Sequence, residues 1–448
     1  MDRENFASKF GALVVIAGSA VGLGNVWRFP YVMGNNGGAA FILLYIFFVV
    51  VICVPIMMSE FVIGRKSRVN AFRSMYKLVP QKRWKAAGFM YIFIPTAVLS
   101  YYSVIGGWTM QYMFKSLTVS FGSGVTAEGL AKSFDSFSTS PFLPVLLMVI
   151  FLIVNFGVVM LGVQKGLEKF SKVMMPALFV LVTLIAVRSL TLPGAEEGIR
   201  FLFKPDFSKV TGETLVAALG QAFFSLSMGS GVMMTYGSYL KQNDNLTRAA
   251  GLTAFFDLLF AIIAGCAVMP AVFAFNVGVS QGPGLVFQTL PLVFSQMPLG
   301  NIVAIVFFIS LFLAAWTSSM SQFEVPVSYL VEEKHISRKT ACMVVFLIAL
   351  VFGTLCALSF GVLSGATVFG KTFFDALDAL CANYLMPLGG LLAVIFVGWR
   401  LKKSVAISEI TNDGSIKVPS WLLKSLLFII RFVAPVAMVV VFLSQFIS

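Results

Sequence analysis

The sequence predicts an all-α integral membrane protein with about eleven transmembrane helices. Of its 448 residues, 58% are hydrophobic and only 11% are charged, whereas soluble domains carry roughly 25% charged residues. The mean hydropathy of +0.93 points the same way. Apolar runs of about 20 residues, the length that crosses a bilayer as a helix, recur along the whole chain. The predicted spans are 10–32, 39–64, 86–114, 141–162, 167–188, 213–240, 249–277, 299–330, 340–361, 372–400 and 421–446.

Basic residues outnumber acidic residues by 32 to 19, which gives a net charge of +13. Cytoplasmic loops of membrane proteins collect Lys and Arg, so we attribute the excess to orientation and expect no nucleic-acid partner. Loop 65–85, between the second and third spans, carries eight basic residues, whereas loop 280–300 carries no charge. This asymmetry predicts a multi-pass protein of the cell inner (plasma) membrane whose N-terminus is cytoplasmic.

Residue types that most catalysis requires are scarce in this chain. His335 is the only histidine, and the five cysteines include no CxxC pair. These counts exclude HExxH metalloproteases and most Ser-His catalysis, and they argue against a cysteine metal cluster. The acids inside apolar runs share no enzyme motif, so we expect no enzymatic activity. These acids are Glu60, Asp257, Glu324, Asp375 and Asp378.

Two predicted helices contain glycine clusters beside hydroxyl or amide side chains, at 17–25 and 225–231. Each glycine costs about 1 kcal/mol in a helix interior relative to alanine. One interpretation is close helix packing through small residues. The other is an unwound segment lining a cavity, with freed carbonyls facing a cation and half-helix N-termini facing an anion. The clusters fall in the first and sixth helices, at corresponding places in two five-helix halves, which favours a transporter binding site.

The segment from Ala17 to Pro30 resembles the first helix of the neurotransmitter:sodium symporter family, in particular its bacterial LeuT-like amino-acid branch. The resemblance implies one polytopic transmembrane domain, 1–448, with a LeuT-like 5+5 inverted repeat and broken helices 1 and 6. The first repeat would cover about 10–188 and the second about 213–400, followed by an extra helix at about 421–446. Further matching segments, in order, are Tyr101-Tyr102, Gln221 to Gly231, Thr317 to Ser319 and Asp375 to Asp378.

The resemblance implies sodium-coupled uptake of a neutral L-amino acid, with large or aromatic side chains admitted, by alternating access. It implies two sodium sites and no organic cofactor. The expected partners are a small-molecule amino acid and membrane lipid, with the chain acting as a monomer or homodimer. A proton-coupled carrier and a non-concentrating channel or receptor of the same fold remain the alternatives.

The resemblance also assigns oxygen ligands to both sodium sites, which suits a hard cation. The first site would use the Ala20 carbonyl, the Asn25 side chain, Ser225 and Asp257. The second site would use the carbonyls of Gly18, Val21 and Ala314 with the hydroxyls of Thr317 and Ser318.

Asp257 is an acid in the middle of an apolar run, where ionisable residues are costly and functional by default. Most members of the family that the sequence resembles carry Asn at the position of Asp257. We expect its carboxylate to replace the chloride that most animal relatives bind near the first sodium. Transport would then be chloride-independent, and protonation of Asp257 after sodium leaves could export a proton.

The same comparison implies the substrate pocket. Members of the family that carry amines have Asp at the position of Gly22. With Gly there, the carboxylate of the substrate should complete the first sodium site. Tyr102 should hydrogen-bond that carboxylate. Ser230 and Gln322 make the pocket roomier and more polar than in relatives with larger apolar groups there. The pocket would be formed by Ser19, Ala20, Gly22, Leu23, Gly24, Val98, Tyr102, Phe224, Ser227, Ser230, Ser318 and Gln322.

Two gates follow from the resemblance. Outside, Arg28 and Asp378 should pair across the vestibule. Inside, Arg3 should meet Glu332, with support from Tyr239 and Ser238.

Three further residues or segments invite two readings each. Segment 166–176, bounded by Gly166 and Pro176, could unwind to open a water path or form a plain kink. Glu60 and Glu324 could hydrogen-bond the unwound segments or lie near a water-filled path.

Overall fold

The computed structural model describes residues 4–118, 125–276 and 284–444. Within these ranges the chain is built from helices, with one isolated β-bridge between Val368 and Lys371. The first half contains α1 (Lys9–Ala20), α2 (Gly24–Asn35), α3 (Ala39–Ser67), α4 (Ala71–Leu78), α5 (Lys82–Thr118), α6 (Ala127–Ser138), α7 (Leu143–Met160), α8 (Val163–Leu190) and α9 (Glu196–Phe203).

The second half begins with a helix that is interrupted in its middle, as the first half does. Its elements are α10 (Gly212–Ser225), α11 (Val232–Tyr239), α12 (Leu246–Ala274), α13 (Leu285–Gln296), α14 (Gly300–Glu333), α15 (Arg338–Leu358), α16 (Phe373–Arg400), α17 (Lys403–Thr411) and α18 (Ser420–Ser444).

The membrane-spanning elements agree with the predicted all-α class. In the described ranges, nine helices are long and apolar enough to cross a membrane, and α1 with α2 forms a further span bent by 48°. The pair α10 and α11, separated by residues 226–231, occupies the sixth predicted span. The spans therefore fall where the apolar runs predict them, with ends that shift by a few residues.

The two interruptions have a local cause in the backbone. Val21 leaves α1 in an extended conformation, with φ −77° and ψ 104°. Beyond α10, Gly229 and Gly231 take φ values of 72° and 83°, a left-handed conformation that glycine adopts without strain. Close packing adds a second reason at Gly229, because a Cβ atom there would lie 1.9 Å from the Met386 carbonyl oxygen.

The half-helix α1 lies at the centre of the bundle. It packs against α8, α12 and α14, while α14 runs along α5 and α8. Both interruptions are therefore enclosed by longer helices, which satisfies the requirement that irregular backbone at membrane depth be buried in protein or line a cavity.

The start of α8 is helical in this structure. Residues Val163–Glu168 form a π-helical turn, which continues directly into an α-helix containing Pro176. The segment between Gly166 and Pro176 is thus wound here, and its unwinding during transport stays a prediction.

Candidate functional site

The two interrupted helices touch at their breaks. The Ser227 hydroxyl donates to the Ser19 carbonyl oxygen at 3.1 Å, and the Gln221 side chain donates to the Gly24 carbonyl oxygen at 3.2 Å. Ser227 itself adopts a φ of 53°, which turns the chain out of α10. The carbonyls and amides freed by both breaks are therefore gathered in one place.

A buried polar cluster lies beside the α1–α2 break. The Asn25 amide nitrogen donates to Asp257 Oδ1 at 2.8 Å and to Ser225 Oγ at 2.9 Å. The Ser225 hydroxyl donates to the same Asp257 oxygen at 2.7 Å. Three of the four residues predicted for the first sodium site are thus in direct contact. The fourth, Ala20, is the last residue of α1, so its carbonyl lies at the break.

Tyr45 belongs to this cluster although the sequence analysis did not include it. Its hydroxyl donates to Asp257 Oδ2 at 2.7 Å, and both residues are buried. The Asp257 carboxyl group thus accepts three side-chain hydrogen bonds, and among the described residues it forms no ion pair with a cationic side chain. Hydrogen bonds to an ionised group are among the stronger ones in proteins, so these three donors could stabilise a negative charge on Asp257 beside the break.

The residues predicted for the second sodium site also converge, between α1 and α14. The Thr317 hydroxyl lies 3.1 Å from the carbonyl oxygens of both Leu313 and Ala314. The Ser318 hydroxyl donates to the Val21 carbonyl oxygen at 3.4 Å. Gly18 faces Thr317, since a Cβ atom on Gly18 would lie 3.7 Å from the Thr317 Cβ. The result is a set of uncharged oxygens that could surround a small hard cation.

The N-terminal end of α2 presents backbone and phenol donors. The Leu23 backbone N–H donates to the Tyr102 hydroxyl oxygen at 3.2 Å. A Cβ atom on Gly22 would lie 2.3 Å from Ser318 Oγ and 3.2 Å from the Tyr102 hydroxyl. The space beside Gly22 is therefore bounded by two hydroxyls. A helix N-terminus with such donors is a favourable place for a carboxylate.

The predicted side-chain pocket mixes apolar and polar walls. Val98 and Ser230 are buried, and the Ser230 hydroxyl donates to the Ser227 carbonyl oxygen at 2.7 Å. Gln322 is 6% exposed, and its Oε1 atom accepts no hydrogen bond from the described residues. A buried carbonyl oxygen of this kind is unfavourable unless something donates to it.

The residues predicted for the outer gate make ring and charge interactions. The Arg28 guanidinium lies over the Phe224 ring, 4.5 Å from its centroid. Arg28 and Asp378 attract each other electrostatically, and Tyr101 also interacts with Asp378. No ion pair of 4.0 Å or less joins the described Arg28 and Asp378 side chains, so the direct contact expected from the sequence is not formed in this conformation.

Of the residues predicted for the inner gate, the structure describes Glu332, Tyr239 and Ser238, so the contact between Arg3 and Glu332 stays a prediction. Arg3 lies outside the described residues. Glu332 accepts hydrogen bonds from the Asn70 backbone and side chain, at 2.8 and 3.0 Å. The Tyr239 hydroxyl donates to Glu324 at 2.6 Å. Ser238 is buried and bonds the Thr235 carbonyl of its own helix.

Glu324 and Glu60, whose roles the sequence left open, have distinct partners. Glu324 is fully buried and forms an ion pair with Arg338 at the start of α15. Glu60 on α3 accepts a hydrogen bond from the Gly229 backbone N–H at 2.7 Å. Glu60 thus supports the unwound segment between α10 and α11, whereas Glu324 ties α14 to α11 and α15.

Comparison with known proteins supplies the family. The model of the sodium:neurotransmitter symporter family matches residues 3–126 and 132–448. An uncharacterized sodium-dependent transporter of Bacillus subtilis, YhdH, is 39% identical over 98% of this chain and 97% of its own length. An uncharacterized sodium-dependent transporter of Haemophilus influenzae is 35% identical over 99% of this chain and 98% of its own length.

A solved structure matches equally well. The crystal structure of MhsT in complex with L-phenylalanine superposes with a TM-score of 0.90 at 43% identity, covering 99% of each chain. MhsT has the LeuT fold. The fold class and the family resemblance predicted from the sequence are therefore confirmed. The chain belongs to the sodium:neurotransmitter symporter family, as a multi-pass sodium-dependent membrane transporter of the LeuT fold rather than an enzyme.

Proposed function

We propose that the chain uses an inward sodium gradient to take up a neutral α-amino acid by alternating access. The observation that carries this proposal is the arrangement at Gly22. No side-chain carboxylate stands at this position, yet the Leu23 amide and the Tyr102 hydroxyl adjoin it at the N-terminal end of α2. A substrate that brings its own carboxylate suits this place better than an amine.

The two half-helix ends would orient the amino acid. The C-terminal end of α1 carries partial negative charge and the N-terminal end of α2 partial positive charge. The substrate ammonium would therefore face the carbonyls of Ala20, Phe224 and Ser227, and its carboxylate would face α2 and the first sodium. Binding of sodium and substrate would then be mutually dependent, which is what coupled transport requires.

Asp257 supports chloride-independent transport. Its carboxylate is held by Asn25, Ser225 and Tyr45, so a negative charge is already fixed beside the first sodium site. In the proposal this charge does the work that a bound chloride does in animal relatives. After sodium leaves, a proton on Asp257 would neutralise the buried charge and return with the empty carrier.

The pocket favours a large neutral side chain. Ser230 and Gln322 are smaller or more polar than the apolar residues that related transporters often carry at these positions. Val98 and Phe224 supply apolar walls. MhsT, 43% identical, has been crystallised with L-phenylalanine. We infer an aromatic or large aliphatic amino acid as the substrate of this chain.

Two sodium ions would bind per cycle, one at each oxygen cluster. The protein would lie in the inner (plasma) membrane as a monomer or homodimer, with its N-terminus in the cytoplasm, as loop 65–85 indicates.

Uptake into proteoliposomes tests the proposal. A labelled amino-acid mixture is offered in chloride-free buffer, with an inward sodium gradient or with potassium replacing sodium. Accumulation above equilibrium only with sodium supports the symporter and identifies its substrate. Equal uptake in both salts rejects sodium coupling. Uptake that reaches but never exceeds the outside concentration indicates a channel-like protein.

A further inference from the structure

The cytoplasmic end of α1 is fastened to the start of α8 by one buried carboxylate, that of Glu168. Its Oε2 accepts from the Ala7 backbone N–H at 2.7 Å, and its Oε1 accepts from the Ser8 backbone N–H at 3.2 Å and the Ser8 hydroxyl at 2.8 Å. Glu168 is only 1% exposed. Lys172, one turn further along α8, pairs with the same carboxylate at 2.7 Å.

This carboxylate acts as a helix cap supplied by another helix. Ser8 is the N-cap residue of α1, and its hydroxyl oxygen accepts from the Gly11 backbone N–H at 3.0 Å. Ser8 therefore caps α1 locally while Glu168 binds the preceding donors. A negative charge at a helix N-terminus is stabilising, and hydrogen bonds to an ionised group are stronger than neutral ones.

The approach of the two helices depends on Gly11. A Cβ atom at this position would lie 1.9 Å from Glu168 Oε1. Any side chain there would push the carboxylate away from α1. Gly11 and Glu168 are thus the residue types that this contact requires, although 157 positions separate them in the chain.

Two further contacts tie the segment before α1 to the same place. Glu4 accepts a hydrogen bond from the Val163 backbone N–H at 2.8 Å, and the Gln164 side chain donates to the Asn5 carbonyl at 2.8 Å. On the other side, the Phe6 backbone N–H donates to the Tyr239 carbonyl at 3.2 Å. The segment is therefore held between α8 and α11, with Glu168 accepting three of its hydrogen bonds.

We propose that Glu168 is a positioning residue that holds the cytoplasmic half-helix α1 in its closed place. α1 carries Gly18 and Ala20 and leads directly into Val21, and all three supply oxygen donors assigned to the sodium sites. The contact of Glu168 with Ala7 and Ser8, here called the latch, would keep those donors in register. Release to the cytoplasm would require Glu168 to let go of Ala7 and Ser8. The proposal rests on the alternating-access function proposed above.

The latch predicts that two unrelated substitutions have the same effect. Glu168→Ala removes the cap, and Gly11→Ala displaces it from the opposite helix. Both should favour the inward-open form. Glu168→Gln keeps the size and one acceptor oxygen but loses the charge, so its effect should be intermediate.

A reporter thiol measures the opening directly. Ser328 is 4% exposed and lines a cavity of about 800 Å³ on the side expected to be cytoplasmic. Its hydroxyl donates to the Val325 carbonyl of its own helix. Ser328→Cys is therefore a mild change at a position that inward opening should expose. The rate of modification by a polar thiol reagent is measured on the full-length protein, in sodium and in potassium.

We expect Glu168→Ala and Gly11→Ala to raise the modification rate of Cys at 328 in sodium by roughly tenfold, as suits loss of a charged helix cap. The apparent affinity for sodium should fall in parallel, while Glu168→Gln gives about a third of the effect on a logarithmic scale. Glu128→Ala is the matched control, because Glu128 pairs with Lys132 at i,i+4 and 2.7 Å but caps no second helix.

The outcomes separate the latch from the proposed function. Unchanged modification rates in folded Glu168→Ala and Gly11→Ala proteins would overturn the latch. If sodium does not lower the modification rate of the protein that carries Ser328→Cys alone, that result would count against sodium coupling. The ratio of modification rates with and without Glu168→Ala or Gly11→Ala would still decide whether the latch exists. Gly11→Ala retains Glu168 and Lys172, so it tests the contact if Glu168→Ala does not fold.

Discussion

Asn25 and Asp257, which lie on α2 and α12, are joined by a hydrogen bond of 2.8 Å from the Asn25 amide nitrogen to Asp257 Oδ1. Both residues are fully buried. The bond crosses the break in the first span and links it to the second half of the bundle. Movement of α2 relative to α12 would therefore change or break this hydrogen bond.

The first prediction concerns the charge of this carboxylate. Asp257→Asn keeps the size of the side chain but removes the negative charge proposed to lie beside the first sodium site. We expect sodium-driven uptake in chloride-free buffer to fall by at least about tenfold, because hydrogen bonds to ionised groups contribute roughly 1.5–3 kcal/mol. Adding chloride should restore part of the uptake. The measurement is initial uptake with and without chloride.

The matched control for this substitution is Asp206→Asn. Asp206 is exposed and bonds the neighbouring Ser208, at 2.6 Å to its hydroxyl and 3.1 Å to its backbone N–H. Its replacement should leave uptake unchanged. If Asp257→Asn transported as well as the parent protein without chloride, Asp257 would have no role as a chloride substitute.

The second prediction concerns the space beside Gly22. Gly22→Ala places a methyl group 2.3 Å from Ser318 Oγ, closer than a carbon and an oxygen can approach. We expect the apparent substrate affinity to fall by roughly tenfold or more, since overpacking typically costs about 1–3 kcal/mol. Gly157→Ala is the control, because no atom lies within 4 Å of a Cβ added there. Equal affinity in both variants would show that the pocket does not adjoin Gly22.

Much of the fold was predictable because its signals are local. Apolar runs give the spans, and the glycines of 17–25 and 225–231 give the breaks. The short helix α4 (Ala71–Leu78) was not predicted, because eight residues carry too little periodicity and this stretch is basic. The resemblance placed Asn25 and Asp257 in one site, where the structure brings them into contact.

Two residues, Tyr45 and Arg338, were not predicted to have buried polar partners, and the reason is the same for both. Tyr45 lies in a run that is apolar on every side, and its partner Asp257 is 212 positions away. Arg338 reads as an ordinary basic loop residue in the sequence, yet it pairs with Glu324 inside the bundle. Only the packing of distant helices reveals such pairs, so a single sequence gives no signal for them.

The third prediction tests whether the Thr317 hydroxyl belongs to the proposed second sodium site or only stabilises its own helix. Thr317→Val keeps the shape of the side chain but removes a hydroxyl that the resemblance assigns to sodium. We expect the sodium concentration for half-maximal uptake to rise by about five- to tenfold, as loss of one oxygen ligand weakens the site. Uptake at saturating sodium should change much less. The measurement is the sodium dependence of initial uptake.

Thr183→Val provides the control for Thr317→Val. Both hydroxyls bond the carbonyl four residues earlier in their own helix, at 2.7 Å for Thr183 and 3.1 Å for Thr317, but Thr183 is exposed on α8. A purely local helix effect would appear in both variants. A shift in sodium dependence confined to Thr317→Val assigns the hydroxyl to the ion.

The fourth prediction concerns the buried ion pair of Glu324 and Arg338. Glu324→Gln leaves the Arg338 guanidinium, which is 22% exposed, without its carboxylate partner. We expect the free energy of unfolding to fall by about 3–5 kcal/mol, because breaking one side of a buried pair leaves a desolvated charge. The Tyr239 hydroxyl, 2.6 Å from Glu324, can still bond the amide oxygen, so the effect comes from the charge.

The double variant Glu324→Gln with Arg338→Met tests this reasoning, because removing both charges removes the uncompensated one. Thermal unfolding of the purified protein should show recovery of more than half of the lost stability, since replacing a whole buried pair by apolar groups is often neutral. The transport rate need not recover together with the stability. If the pair also steadies Tyr239 under the segment before α1, the double variant will be stable and will still transport more slowly than the parent. Full recovery of both stability and transport would limit the pair to a structural role.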